Sequence, residues 1–195
     1  MEYCPNRPGE SLEDMWNNLV ANWNKRVRPW ETVFILGDMA FKKDNGLKML
    51  NGNKILIVGN HDHSDMINWA LREQVIVTAL TETTTRFNHR NVYLSHYPKK
   101  SWPGSTDGSI LFHGHTHGSL AHHEMDWRQY IPNMLDVGVD CGYTDFGPIT
   151  TDRAIQLADK RTKQIRHRAE RSLLYFRKQF GKVAYAKGRD RNGEE

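Results

Sequence analysis

The stretch KILIVGNHDHSDMINWALRE, residues 54–73, decides how this chain folds. The apolar run Ile55–Val58 ends at Gly59, the polar group Asn60-His61-Asp62 follows, and a segment that reads as a helix begins at Ser64. A buried-type strand, a tight glycine turn and a helix in succession are the repeating unit of layered α/β proteins. Glycine at the turn lets the backbone bend sharply and approach its neighbours closely.

The same punctuation recurs on both sides. TVFIL, residues 32–36, runs into Gly37-Asp38. VYLS, residues 92–95, runs into His96, and SILF, residues 109–112, into His113-Gly114-His115-Thr116-His117. Upstream, GESLEDMWNNLVANWNKRV reads as a helix, with Ser11 and Asp14 as a capping pair and Pro29 at its exit. Residues 44–51 read as a short helix, and SDMINWALRE as a helix capped by Ser64. QVIVT, residues 74–78, reads as a short strand, TTTRFNHRNVYLSHY as a hairpin about an NHRN turn, and MLDVGVD as one more strand. From Thr151 to about Phe180 the spacing is helical, with Ile155, Leu157, Ile165, Leu173, Leu174 and Phe176 as expected buried positions; the last dozen residues read as disordered.

The bulk numbers fit one domain with an appendage. The 195 residues include 38% hydrophobic, enough for a core, and no apolar run approaches the ~20 residues that span a bilayer. The N-terminus lacks a basic-then-apolar leader pattern, and Cys4 and Cys141 form no disulfide framework or CxxC pair, so free thiols and a cytoplasmic protein without membrane contact are expected. Charge is unevenly spread. Residues 1–152 carry 14 Lys and Arg against 18 Asp and Glu, whereas residues 153–195 carry 13 against 5. The expected division is therefore an α/β domain over 1–152 and a basic helical extension over 153–195, with nucleic acid as a candidate partner of the extension.

Four apolar strands that each end in metal-ligating side chains are the chemically informative pattern, because ligands in layered α/β folds gather at carboxyl ends of strands. Imidazole, carboxylate and amide oxygen together suit Mn, Fe or Zn, and the lack of thiols argues against a structural zinc site. Seven of the ten histidines fall between residues 61 and 117, which separates this clustering from scattered surface histidines. In an extended segment His115 and His117 would point to one side, with Thr116 turned away.

The series GD, GNHD, H and GHxH resembles the calcineurin-like metallophosphoesterases, over roughly residues 1–150, and is most similar to their small bacterial and phage members. The resemblance implies a four-layer αββα-type sandwich of two mixed β-sheets flanked by helices, with two divalent metal ions (Mn, Fe or Zn) at one end. It implies that Asp38 bridges the metals, that Asn60, His96 and His115 bind the second metal, and that His117 binds the first. His61 would face the scissile ester and protonate the leaving oxygen, and Asp62 would orient His61. His113 is read as structural, and His63, His89, His122 and His123 as surface residues. The implied activity is hydrolysis of a phosphomonoester or phosphodiester, a nucleotide among the candidates, by attack of metal-bound hydroxide. The loops YPKKSWPGSTDGS and SLAHHEMDWRQYIPN are the expected carriers of specificity, with Lys99, Lys100 and Trp102 as candidate contacts.

The family pattern begins with a strand ending in DxH, and no DxH precedes Asp38. The expectation is that two ligands of the first metal are missing, either because the true start lies upstream of Met1 or because the first site is degraded. Two other functions compete with the phosphoesterase: a nucleic-acid-binding protein or nuclease using the basic tail, and a catalytically impaired remnant.

Overall fold

The computed structural model describes residues 7–40, 43, 45–119 and 131–180. Helix α1 (Leu12–Arg26) starts where Ser11, in extended backbone, accepts the Asp14 N–H on its side chain, the capping pair read from the sequence. Strand β1 (Thr32–Ile35), a 3₁₀ turn (Asn45–Met49), β2 (Asn53–Ile57), α2 (Ser64–Arg72) and β3 (Thr78–Leu80) follow. Strands β4 (Glu82–Phe87) and β5 (Arg90–Ser95) form a hairpin whose two turn residues, Asn88 and His89, both have positive φ (44° and 63°), the twist that a two-residue hairpin loop requires. Strands β6 (Ile110–His113) and β7 (Met134–Asp136) and helix α3 (Thr151–Phe180) complete the order.

The strands form two sheets, so the chain is an α/β protein. The first sheet, β1-β2-β3, is wholly parallel; only the second, β4-β5-β6-β7, is mixed, with β4 antiparallel to β5 and the rest parallel. Between them lies a core of Phe34, Ile57, Val92, Leu94, Ile110 and Phe112. The opposite face of the first sheet, with Ile35 and Leu56, packs against Trp16 of α1 and Met66 and Ala70 of α2. The helices are not shared evenly between the two sheets. The outer face of the second sheet, Tyr93, Leu111 and Met134, is covered by Trp102 and Ile131 from loops, while Ala154, Ile155 and Ala158 of α3 enter the core between the sheets. Trp102 is therefore a core residue, its indole N–H donating to the Ser109 carbonyl, and Lys99 is paired with Glu82.

Further expectations are corrected. QVIVT is not a strand: Val75 and Ile76 are buried against α2, and pairing begins only at Thr78, because Gln74 turns the chain with φ 56° at the end of α2. The residue that caps α2 is His63, without a side-chain bond, and Ser64 is already helical. The division at residue 152 cuts through the first turn of α3, whose Ala154, Ala158 and Thr162 are buried; the outlying part of the helix starts after Thr162. Beyond that point Leu173 and Leu174, expected to be buried, are exposed. The side chain of Phe176, the C-terminal residues from 181 and most of the SLAHHEMDWRQYIPN loop, with His122 and His123, lie outside the described residues, as does Cys4.

Cys141 is buried next to Asp136, and burial first, then that carboxylate, push its thiol up to about 12. Thiolate is the nucleophile, so a raised value means an inert thiol at neutral and mildly alkaline pH. Iodoacetamide at about pH 8.5 is expected to leave Cys141 unlabelled in the native chain and to label it in denaturant, read by peptide mass mapping.

Candidate metal centre

The carboxyl ends of β1, β2, β5 and β6 meet at one place, and glycine is what lets them meet. Gly37 has φ 89°, and a Cβ there would stand 2.1 Å from the Nδ1 of His96; a Cβ on Gly59 would stand 2.4 Å from the Asp38 carboxylate. Asp38 itself lies in the left-handed region at φ 54°, as do His115 (φ 66°) and His117 (φ 48°). Non-glycine residues hold that backbone only where surroundings compel it, and such positions concentrate at functional sites. The extended course expected for His115–His117 is thus replaced by a curl. Thr116 is buried inside it, donating its hydroxyl to Asp136, whose carboxylate also takes the Gly118 and Gly138 N–H groups.

His96 is the centre of the cluster. Its ring is 2% exposed, and Nδ1 lies 2.7 Å from the Leu36 carbonyl oxygen. A carbonyl only accepts, so Nδ1 carries a proton, and in the neutral ring Nε2 offers a lone pair. Around Nε2 stand Asn60 Oδ1 at 2.9 Å, His115 Nδ1 at 3.2 Å and Asp38 Oδ2 at 3.5 Å. Ligand atoms of Asp38, His96 and His115 all fall within 4.8 Å of one another. An amide oxygen 2.9 Å from that nitrogen is held there with a proton or a cation between the two. A carboxylate, an amide oxygen and two imidazoles fit Mn, Fe or Zn in number and type.

The remaining candidates are placed around this cluster. Asn60 and His61 are exposed at the tip of the β2–α2 loop, with the His61 N–H bonded to Asp38 Oδ1 at 2.9 Å. Asp62 is buried, and its carboxylate accepts three backbone N–H groups, those of Asp38, Met39 and Gly59, each at 2.8 Å. It ties the loop after β1 to the loop after β2. His117 is not among the clustered ligand atoms; its Nδ1 lies 2.7 Å from Asp140 Oδ2, and Asp140 is held by two bonds from Arg7 (2.6 and 2.8 Å). Burial pushes the Asp140 carboxyl up, but hydrogen bonds from Arg7 and His117 outweigh it, and the net direction is down. His113 is fully buried in β6 with Nδ1 at the Gly114 carbonyl, and His63 and His89 are exposed.

The sequence reading did not single out Asp136 and Asp140. Asp136 ends β7 and Asp140 lies four residues beyond it; reading MLDVGVD as one strand carried both aspartates inside the strand and hid the strand-end pattern, whereas the strand stops at Asp136. Tyr97 also adjoins the site, with ring centroids 4.8 Å from both His96 and His115.

No family model matches the chain. It is 30% identical over 166 residues to the uncharacterized protein MJ1445 of Methanocaldococcus jannaschii, covering 82% of this chain and 84% of that one. It is 28% identical over 161 residues to the Gene 66 protein of Mycobacterium phage L5, covering 67% of this chain and 76% of the phage protein. The fold is shared with a solved protein of unknown function from Aquifex aeolicus, at a TM-score of 0.59 and 20% identity, over 80% of this chain and 90% of that one.

Proposed function

Because the chain belongs to the same family as the Methanocaldococcus jannaschii protein MJ1445, whose function is equally open, we propose from the site itself that it is a metal-dependent phosphoesterase of the calcineurin-like kind, hydrolysing phosphomonoesters or phosphodiesters. The observation that carries this reading is the convergence of four acceptors, Asp38 Oδ2, Asn60 Oδ1, His96 Nε2 and His115 Nδ1, at the ends of four strands. These four would hold one divalent ion, Mn, Fe or Zn. A second ion would draw on the other Asp38 oxygen and on His117. When bound, the ions supply Lewis acidity toward a phosphoryl oxygen and hydroxide near neutral pH.

The chain's own residues do the rest. The neutral amide of Asn60 limits the negative charge that faces an anionic ester. His61, fixed through its backbone to Asp38 and exposed at the rim, holds a proton for the leaving oxygen. Asp62 keeps the two loops in register, so that Asp38 and His61 stay paired. A reducing, cytoplasmic setting suits Cys141, a buried free thiol; no helix among the described residues is long and apolar enough to cross a membrane.

The test is to load the full chain with manganese and, separately, zinc, measure stoichiometry by elemental analysis, and assay p-nitrophenyl phosphate and its bis ester. At least one ion per chain is expected, with turnover that His61→Ala lowers by about 10²–10⁴-fold. A chain that takes up no ion, or loaded protein with no turnover of either ester, sinks the reading.

A second reading, nucleic-acid binding, is favoured by the outer half of α3. Lys163, Arg166, Arg168, Arg171, Arg177 and Lys178 form no ion pair among the described residues, nor do Lys25, Arg28 and Arg86 of the body, where Arg7, Arg26, Lys48, Arg90 and Lys99 are paired with carboxylates; the helix differs in holding six such cations in succession. Cations left unpaired along ~24 Å of helix suit a phosphate backbone. Such binding would weaken steeply with salt and would coexist with hydrolysis in a nuclease.

A further inference from the structure

We infer that Asp140, clamped by Arg7, is the positioning residue for His117: it fixes which ring nitrogen carries the proton and where the other one points. This rests on the reading above, in which His117 serves the metal centre.

Three observations converge. Asp140 Oδ2 stands 2.7 Å from Nδ1 of His117, a charge-assisted distance. Arg7 covers both Asp140 oxygens, Nε to Oδ1 at 2.6 Å and Nη2 to Oδ2 at 2.8 Å, so Asp140 is held as a carboxylate and can only accept. Nδ1 therefore bears a proton, which in the neutral ring leaves the lone pair on Nε2. Finally, the backbone around His117 is already braced: Asp136 takes the Thr116 hydroxyl and the Gly118 N–H on either side of it, which holds the left-handed turn at φ 48°. With the backbone fixed, ring rotation is the remaining freedom, and Asp140 removes it. The end of β7 and the loop after it thus support the segment carrying His115 and His117 twice, through Asp136 for the main chain and Asp140 for the ring.

Asp140 is a poor metal ligand in its own right. Both oxygens are engaged by a guanidinium, whose charge opposes a cation at the same place. A carboxylate behind a ligating imidazole instead sets the tautomer and raises the basicity of the other nitrogen, and loss of such a partner lowers metal affinity by about 10–100-fold. Arg7 adds a longer connection, because it anchors the segment before α1 to this loop across the fold.

The experiment reads the tautomer directly. Long-range nitrogen–proton correlation spectra of the metal-free full chain, with His117 identified by its loss in His117→Ala, are expected to show the proton on Nδ1. In Asp140→Ala that signature disappears and calorimetric manganese affinity falls by about 10–100-fold. Finding the wild-type proton on Nε2 overturns the inference without any variant having to fold. It is equally overturned if Asp140→Ala melts lower yet keeps the wild-type tautomer and affinity, since Asp140 is then a structural ion pair only. If the tautomer changes while affinity does not, the positioning role stands and the place of His117 among the ligands falls.

Discussion

Replacing His96 by alanine is expected to abolish the stabilisation that manganese confers on the chain, and with it hydrolysis. In the wild type, an ion at 100 times its dissociation constant adds about 2.7 kcal/mol to the folded state. For a chain of this length that is a rise in melting temperature of about 5–10 °C. His96 supplies the nitrogen around which the other three donors are arranged, at 2.9, 3.2 and 3.5 Å, so its loss removes the centre of the set. The metal-free comparison separates binding from folding. There the substitution empties a buried position and leaves the Leu36 carbonyl without its donor, a cost of about 1–3 kcal/mol. The expected pattern is a modest loss of stability without manganese and a large one with it. An equal loss in both conditions would remove His96 from the metal centre and leave it a core histidine with a satisfied hydrogen bond.

How much of this site could be read without coordinates depended on how local the cause was. Gly37-Asp38, Gly59-Asn60-His61-Asp62, His96 and the His113–His117 segment were legible because an apolar strand, a glycine and a ligand-type side chain are adjacent in the chain, and the close approach that demands glycine is set by the same few residues. The layered α/β class was legible for the same reason, while its division into two sheets was implied only by the family resemblance. What depended on distant partners was not. The curl at His115–His117 is imposed by Asp136, some 20 residues further on, and nothing in GHTHG itself distinguishes a left-handed turn from an extended end. Asp140 owes its role to His117 and to Arg7, 133 residues away. Val75 and Ile76 form an apolar run that looks like strand, yet they fill the space beside α2; period alone does not separate a buried loop from a buried strand. Leu173 and Leu174 show the converse, since helical spacing predicts an apolar face but not what covers it.

Asp62→Ala is expected to be the most damaging single change near the site, and for a structural reason. Its carboxylate is the common acceptor for the N–H groups of Asp38, Met39 and Gly59, and the residue is 7% exposed. Alanine leaves three donors in the space the carboxylate filled, each costing about 1 kcal/mol or more when unsatisfied. The sum, about 3 kcal/mol, is a fall in melting temperature of about 6–12 °C. The two loops lose their tie, so Asp38 drifts from Asn60 and His96, and manganese no longer stabilises the chain. Asp62→Asn grades the effect. With the amide oxygen turned toward Asp38 and Gly59 two of the three bonds survive, while the NH₂ group faces the Met39 N–H, donor against donor. Stability and metal affinity should therefore fall between wild type and alanine, and turnover should follow metal occupancy. The contrasting role, in which Asp62 acts by orienting the His61 ring, predicts something else. Asp62→Asn would then keep its melting temperature and its metal, and lose turnover to the level of His61→Ala. Manganese-dependent melting curves for the two Asp62 variants, set beside turnover at saturating metal, decide between a residue that builds the site and one that serves a proton transfer.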